Sequence, residues 1–560
     1  MKVHEAIRRF LVAEGVDTAF SFLSDATVEM VANLQEATDD PLDVVEARHE
    51  QAAVAMADGY ARATDSVGVV VVGRGPAIAQ TGTALTTARK ADSKVLVLVA
   101  TTSRRTATDP LNKEFRQRSF LETLLDDVLA VPDDEVLVPR FAEAFRRLHD
   151  GGGPVAVELP ADLIAAETDH ADDWAASTIG SSRTTAGGTR FEPDPSAVDA
   201  AAERLLAADP SVPTTILAGR GAVRADAGDA IETLAERTDA LLATTLQAQG
   251  YFSEHPFSLG FVGGFGSPVA NEYLRRSDTV VAVGCSLNEH TTDRGRLLDD
   301  STVVQIDADP GAIERHTRVD LGVVGDAADA VEALVAELDR RDADATSGVR
   351  SEEVRRRIAE AAPFPEREFE VAPDRVDPRE VVTGLDAILP EDRLVVTDTG
   401  HFMAWIFDGV TVADPADYMW TSDFGSVGLG GPMGYGAARA VEDRTPIVFC
   451  GDGGFMMSLQ ELDTAVREGL STVVVVMNDG GLGAEYQRLY HDDEPTAAAE
   501  IESPDLAAVA DDFGATGLEI RSERDLERAE DLLDGGVTGP VVLDCKIDRD
   551  VYHRFFDDHA

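Results

Sequence analysis

Nine stretches of this chain run apolar with little interruption: VGVVVVG (67–73), KVLVLVA (94–100), VPTTILAG (212–219), DTVVAVG (278–284), STVVQID (301–307), RLVVTD (393–398), TPIVFCGD (445–452), STVVVVMND (471–479) and GPVVLDCKI (539–547). A strand with one wet face alternates apolar and polar residues, whereas a continuous Val/Ile/Leu run is a strand covered on both faces. Helix-like segments separate the runs, so the pattern predicts parallel sheets flanked by helices, an α/β fold. At 560 residues the chain is too long for one hydrophobic core. Two segments break the rhythm: 166–190 is rich in Ser, Thr and Gly, and 340–377 is charged and carries prolines. Taken as linkers, they leave three doubly wound parallel-sheet domains at 1–165, 191–340 and 376–550.

The formal net charge is −54, from 103 acidic and 49 basic residues. Only Lys2, Lys90, Lys94, Lys113 and Lys546 among the basic residues are lysines. Such a surface suits high salt, where self-repulsion is screened over a few ångströms, and it argues for a halophilic protein. It repels nucleic acid and anionic membranes, so neither is expected as a partner. Cys285, Cys450 and Cys545 lie far apart, each after a β-type run, and are expected as buried free thiols. The opening segment MKVHEAIRRFLVAEGV has helical spacing and no signal-like apolar core, and no run approaches ~18 apolar residues. A soluble, cytoplasmic protein is expected.

One segment concentrates the chemistry: GDGGFMMSLQELDTAVREGLSTVVVVMNDGG, 451–481. Asp452 stands between glycines at the carboxyl end of a strand, and Met456, Leu459, Leu462 and Val466 space an amphipathic helix after it. The amides of Gly453 and Gly454 then suit a phosphate. The next strand returns to the same sheet edge, which brings Asn478 and Asp479 beside Asp452. Oxygen ligands beside a phosphate site suit Mg²⁺.

This segment resembles the signature of thiamine-diphosphate-dependent enzymes. By that resemblance Asp452, Asp479 and the carbonyl of Gly481 hold Mg²⁺, with Gly451, Gly453, Gly454 and Asn478 around the diphosphate. The family usually has a second Asn where this chain has Asp479, which keeps an oxygen ligand and adds a charge. The run RHEQAAVAMADGYARATD (48–65) is similar to the family's pyrimidine-binding domain, which makes Glu50 the carboxylate that activates the cofactor. SDFGSVGLGGPMGYGAAR (422–439) resembles the segment that places a bulky aliphatic side chain, here Val427, under the cofactor. TDTGHFMAW (397–405) resembles a diphosphate-contacting loop, with Gly400 and His401 as candidates. The resemblance implies pyrimidine-binding, central and diphosphate-binding domains, and a homodimer or homotetramer whose active site lies across the subunit interface.

The middle segment, 243–292, looks like the central domain of acetolactate synthase and its relatives. Some of these bind FAD; Gly219, Gly221 and the acidic IDADP (306–310) are candidate contacts. The implied activity is decarboxylation of a 2-oxo acid with carboligation of the resulting enamine. Two departures favour the alternative of a non-oxidative 2-oxo-acid decarboxylase. Asp25 in SFLSDATVEM and Glu485 in NDGGLGAE match acids of pyruvate and indolepyruvate decarboxylases, and two acids near the reacting carbon favour simple protonation. The synthases' GPG turn is also altered, to GRGPA (73–77), although the His-His pair of those decarboxylases is absent from 99–115. A non-catalytic cofactor-binding paralogue is a further alternative, disfavoured by the presence of Glu50 and Asp452. An NAD-type dehydrogenase is excluded because no strand leads into a GxGxxG helix start with a suitable downstream acid.

Overall fold

The computed structural model describes residues 1–105, 112–169, 192–341, 349–364 and 367–556. Within them the chain builds three six-stranded sheets whose recorded pairings are all parallel. The first holds β1 (Thr18–Ser21), β2 (Asp43–Glu46), β3 (Gly68–Val72), β4 (Val95–Thr101), β5 (Asp127–Ala130) and β6 (Val155–Pro160), in the order β2-β1-β3-β4-β6-β5. The second holds β7 (Thr214–Ala218), β8 (Leu241–Thr244), β9 (Ser258–Phe261), β10 (Thr279–Val283), β11 (Thr302–Asp307) and β12 (Leu321–Val324), in the order β12-β11-β10-β7-β8-β9. The third holds β13 (Arg393–Thr397), β14 (Tyr418–Trp420), β15 (Thr445–Gly451), β16 (Thr472–Asn478), β17 (Thr516–Ile520) and β18 (Pro540–Lys546), in the order β14-β13-β15-β16-β18-β17.

All nine apolar runs are strands, and all nine are interior to their sheets. Helices cover both faces of an interior strand, which is why these runs tolerate no alternation. The edge strands β2, β5, β9, β12, β14 and β17 are short or partly exposed and carry a weaker signal. Residues 170–190 of the first expected linker lie outside the described residues. The second expected linker is not wholly irregular, because it contains the helix Glu352–Ala359. Ser351 caps that helix by accepting from the Val354 amide, with Glu352 and Glu353 in its first turn and Arg356 and Arg357 in its last. The three cysteines are buried and free. Among the described residues no helix is long and apolar enough to cross a membrane.

The first and third sheets share one strand order, and one continuous hydrophobic core runs between them. Its centre is a crossing of two helices that each follow the second strand of their sheet, Glu50–Thr64 and Gly430–Ala440. A Cβ on Gly59 would fall inside the carbonyl oxygen of Met433, and one on Gly436 inside that of Met56. Only glycine at both positions permits backbones this close. Parallel strands bring their carboxyl ends to one edge of each sheet, so the turns carrying the candidate residues line the ends of the first and third sheets.

Candidate active site

At the edge of the third sheet, the turns after β13, β15 and β16 converge. Asp452 opens the short helix Asp452–Met457 and is buried, and its carboxylate accepts a hydrogen bond from the Ser503 hydroxyl. Burial holds its pKa above the usual carboxylate range. Asp479 follows β16 and is also buried; burial and then the charge of Asp452 push its pKa up to about 7. Two buried carboxylates therefore lie near one another, and the charges of Arg549 and Arg375 offset only part of the rise at Asp479.

The second turn is tied down by the segment 499–503. The Leu482 amide donates to the Ala499 carbonyl at 2.8 Å, the Ile501 amide to Gly480 at 2.9 Å, and Ser503 reaches Asp452 from the same strap. Gly480 takes φ +72, a conformation that favours glycine, and the Gly481 amide donates to Asp479 Oδ1 at 3.1 Å. Gly483 is required because a Cβ there would collide with Asp479 Oδ2 and lie 3.1 Å from His401. Asn478 occupies the expected turn, but its carboxamide donates to Asp544 Oδ1 at 2.8 Å and accepts from the Gly480 amide at 3.2 Å. It shapes the turn through these bonds.

His401 lies against the same place, buried, and among the described residues neither ring nitrogen has a hydrogen-bond partner. Burial, reinforced by His553, lowers its pKa to about 3, so the imidazole is neutral. The ring of Phe556 lies over it, with centroids 5.1 Å apart. Phe402 forms the floor, 3.5 Å from where a Gly451 Cβ would stand and 2.5 Å from that of Gly400. Gly453 faces Leu482, and Gly454 faces Val427 Cγ1 at 3.4 Å from its absent Cβ. Val427 is 37% exposed, projecting from the rim of the cleft.

One buried acid at this edge escaped the sequence reasoning. Asp398 follows β13 and accepts from the Gly428 amide at 2.8 Å and from Thr421 Oγ1 at 2.9 Å. Burial lifts its pKa to about 6 even against these bonds. Its Oδ2 would lie 2.5 Å from a Gly454 Cβ, so it pins the turn bearing Val427 against the GDG turn. Its position at the carboxyl end of an apolar run, like that of Asp452, was the available signal.

Glu50 stands elsewhere, as the first residue of the helix Glu50–Thr64 at the edge of the first sheet, half-buried. Among the described residues no hydrogen bond or ion pair joins it to the Asp452–Asp479 cradle. Asp25, after β1, is exposed and bonded to Lys113 Nζ at 2.9 Å, which holds its carboxyl below the usual range. The altered GRGPA turn lies close by: a Cβ on Gly73 would stand 2.5 Å from Ser24 Oγ, and Arg74 bonds Glu114 at 2.9 Å. Glu485 is exposed on the helix Gly483–His491 of the third sheet. One chain thus brings Asp25 and the GRGPA turn together and leaves Glu485 on a different sheet.

Models of the thiamine pyrophosphate enzymes match this chain in three parts: the N-terminal TPP-binding domain over residues 1–128, the central domain over 198–334 and the C-terminal TPP-binding domain over 398–545. The chain belongs to the thiamine pyrophosphate enzyme family. Among its relatives, a probable acetolactate synthase large subunit of Methanocaldococcus jannaschii is 28% identical over 98% of this chain and 92% of its own length. A putative acetolactate synthase large subunit of Mycobacterium tuberculosis is 29% identical over 92% of each chain. The large subunit of acetolactate synthase isozyme 3 of Escherichia coli is 27% identical over 93% of this chain and 90% of its own.

As a thiamine pyrophosphate enzyme, the chain has donors of the right chemistry for a diphosphate and its cation. Two buried carboxylates, Asp452 raised by burial and Asp479 by burial and Asp452, are a hard-oxygen set of the kind that suits a divalent cation, and the buried imidazole of His401 is a neutral group beside them. The central domain differs. The Gly219 amide donates to the Val283 carbonyl at 2.9 Å and that of Gly221 to Gly284 at 3.0 Å, and a Cβ at either would strike the 284–285 backbone. Asp307 and Asp309 accept from their own turn, from the amides of Asp309 and Gly311. Chain packing accounts for these residues, and we assign no flavin to them.

Proposed function

We propose that this enzyme decarboxylates a 2-oxo acid with thiamine diphosphate and Mg²⁺ and joins the product carbon to a second carbonyl compound, as an acetolactate synthase-like carboligase. The observation that carries this is the pair Asp452 and Asp479 beside the unpartnered His401 at the end of the third sheet. The full-length likeness to acetolactate synthase large subunits favours carboligation over decarboxylation alone.

Asp452, Asp479 and the Gly481 carbonyl hold the cation, and the Gly453 and Gly454 amides with the neutral His401 orient the diphosphate. Val427 shapes the cleft from its rim. When bound, the cofactor supplies a nucleophilic carbon that adds to the keto group and accepts the electrons released with carbon dioxide. Glu50 moves the proton that activates it, by hydrogen bonding to the pyrimidine ring. In this proposal Asp25 and Glu485 hold or move protons at the substrate.

In this proposal a second copy of the chain completes each site, setting Glu50 of one copy opposite Asp452 of the other. Apolar side chains left exposed at both edges support it: Leu23 is 47% exposed at the first, and Phe424 and Met457 are 49% and 60% exposed at the third. The charge of −54 supports assembly and activity in high salt. The test is product analysis with pyruvate, thiamine diphosphate and Mg²⁺ in concentrated salt. Acetolactate is expected; an aldehyde as sole product refutes carboligation, and unchanged turnover in Glu50→Gln refutes the role of Glu50.

A further inference from the structure

The backbone that presents Glu50 is held by an acid from the other end of the chain. The Arg48 amide donates to both carboxylate oxygens of Glu461, at 3.2 and 3.0 Å. Glu461 is completely buried, and the Thr464 hydroxyl orients it with a further bond of 2.9 Å. Around this core, Arg48 Nε donates to Asp463 at 2.6 Å, Arg467 Nε to the same carboxylate at 3.1 Å, and the Arg467 guanidinium to the Glu46 carbonyl. The residues on either side of the turn from β2 into the Glu50 helix are therefore clamped from the third domain.

A carboxylate with no exposure is costly to bury, and the nearby charges of Arg467 and Arg48 offset that cost only in part. Its hydrogen bonds go to a hydroxyl beside it and to an amide two residues before Glu50. The helix Glu461–Arg467 follows the GDG helix after residues 458–460, so Glu461 lies in the segment that begins at Asp452. A proton-transferring carboxylate must be held to within about 0.5 Å, and a misplacement of about 1 Å costs on the order of a hundredfold in rate.

We propose that Glu461 is the positioning residue for Glu50, fixing the start of its helix so that the Glu50 carboxylate meets the pyrimidine ring in register. This rests on Glu50 being the activating group, as proposed above.

The test uses the full-length protein in high salt. Glu461→Gln preserves shape but sets an amide N–H₂ against the Arg48 N–H. In protein free of cofactor and metal, hydrogen–deuterium exchange over residues 48–52 is expected to quicken about tenfold or more, equal to ~1.4 kcal/mol of lost local protection, while β15 and β16 exchange as before. In the loaded enzyme kcat is expected to fall about tenfold or more, with the KM for the 2-oxo acid and the affinity for thiamine diphosphate within about threefold of the parent. Asp463→Asn, which frees the Arg48 side chain but not its amide, is expected to keep parental exchange and turnover. If Glu461→Gln does not fold, Thr464→Val takes its place with the same readouts. Parental exchange over 48–52 overturns the proposal, as does a loss of turnover that only tracks the folded fraction. Glu50→Gln runs beside these variants: if it retains full turnover, the role of Glu50 fails, whereas an inactive Glu50→Gln beside a parental Glu461→Gln refutes Glu461 alone.

Discussion

Asp479→Asn gives the turn after β16 the residue usual in its family, and its consequences follow from the pKa of Asp479. Burial and Asp452 raise that pKa from 3.8 to about 7 in the metal-free fold. Between these values the folded chain holds a proton that the unfolded chain has released, so this group's contribution to stability falls as pH rises through that window. At ~1.36 kcal/mol per pH unit, the penalty is about 2 kcal/mol near pH 5.5 and levels off at about 4 kcal/mol above pH 8. Asn carries no such penalty. Metal-free Asp479→Asn is therefore expected to melt above the parent, by about 2 kcal/mol more at pH 8 than at pH 5.5. Adding Mg²⁺ and thiamine diphosphate narrows the gap: the parent gains ~2.7 kcal/mol at a hundredfold excess over Kd, and the variant, short of a charged ligand, gains less. Differential scanning fluorimetry in concentrated KCl, at both pH values and with and without the ligands, reads all four cases. Equal melting differences at the two pH values, or no narrowing on adding ligands, refute the reasoning.

Three other outcomes are expected. Gly436→Ala drives a methyl into the Met56 carbonyl and is expected to cost at least ~1–3 kcal/mol and loosen the first domain from the third; Gly434→Ala, which meets only a Val448 methyl, costs less, and chemical denaturation compares them. Asp398→Ala strips the acceptor from the Gly428 amide and Thr421, a loss of about 1–3 kcal/mol, and weakens cofactor binding measured by fluorescence quenching. Asp452→Asn abolishes the Mg²⁺ dependence of thiamine diphosphate binding, and EDTA treatment of the parent does so reversibly, as isothermal titration calorimetry reports.

The interior strands were legible because burial on two faces leaves no place for a polar residue, and β3, β4 and β16 show this most fully. Edge strands such as β14 and β17 answer to one neighbour and to solvent, and their composition is correspondingly mixed. At the site, Asp452 and Asp479 could be brought together from sequence because a strand, helix and strand of short length have one way to return to a sheet edge. Asp398 ends an apolar run as Asp452 does, but its partner Gly428 is thirty residues away across a turn that no periodicity describes. The carboxamide of Asn478 is turned to Asp544, a partner visible only in three dimensions. Glu461 was one acid among 103 until the fold placed Arg48 above it.

The paired glycines, Gly59 and Gly436, bear on how substrate enters. Backbones in carbonyl contact can neither slide nor rotate without losing that contact, so the first and third domains of a chain move as one piece. Breathing of the cleft then belongs to what lies outside that piece: the Leu482–Gly483 turn, hung on the 499–503 strap, and the closing residues that carry Phe556 over His401. Any opening of the cleft within one chain then falls to these local segments.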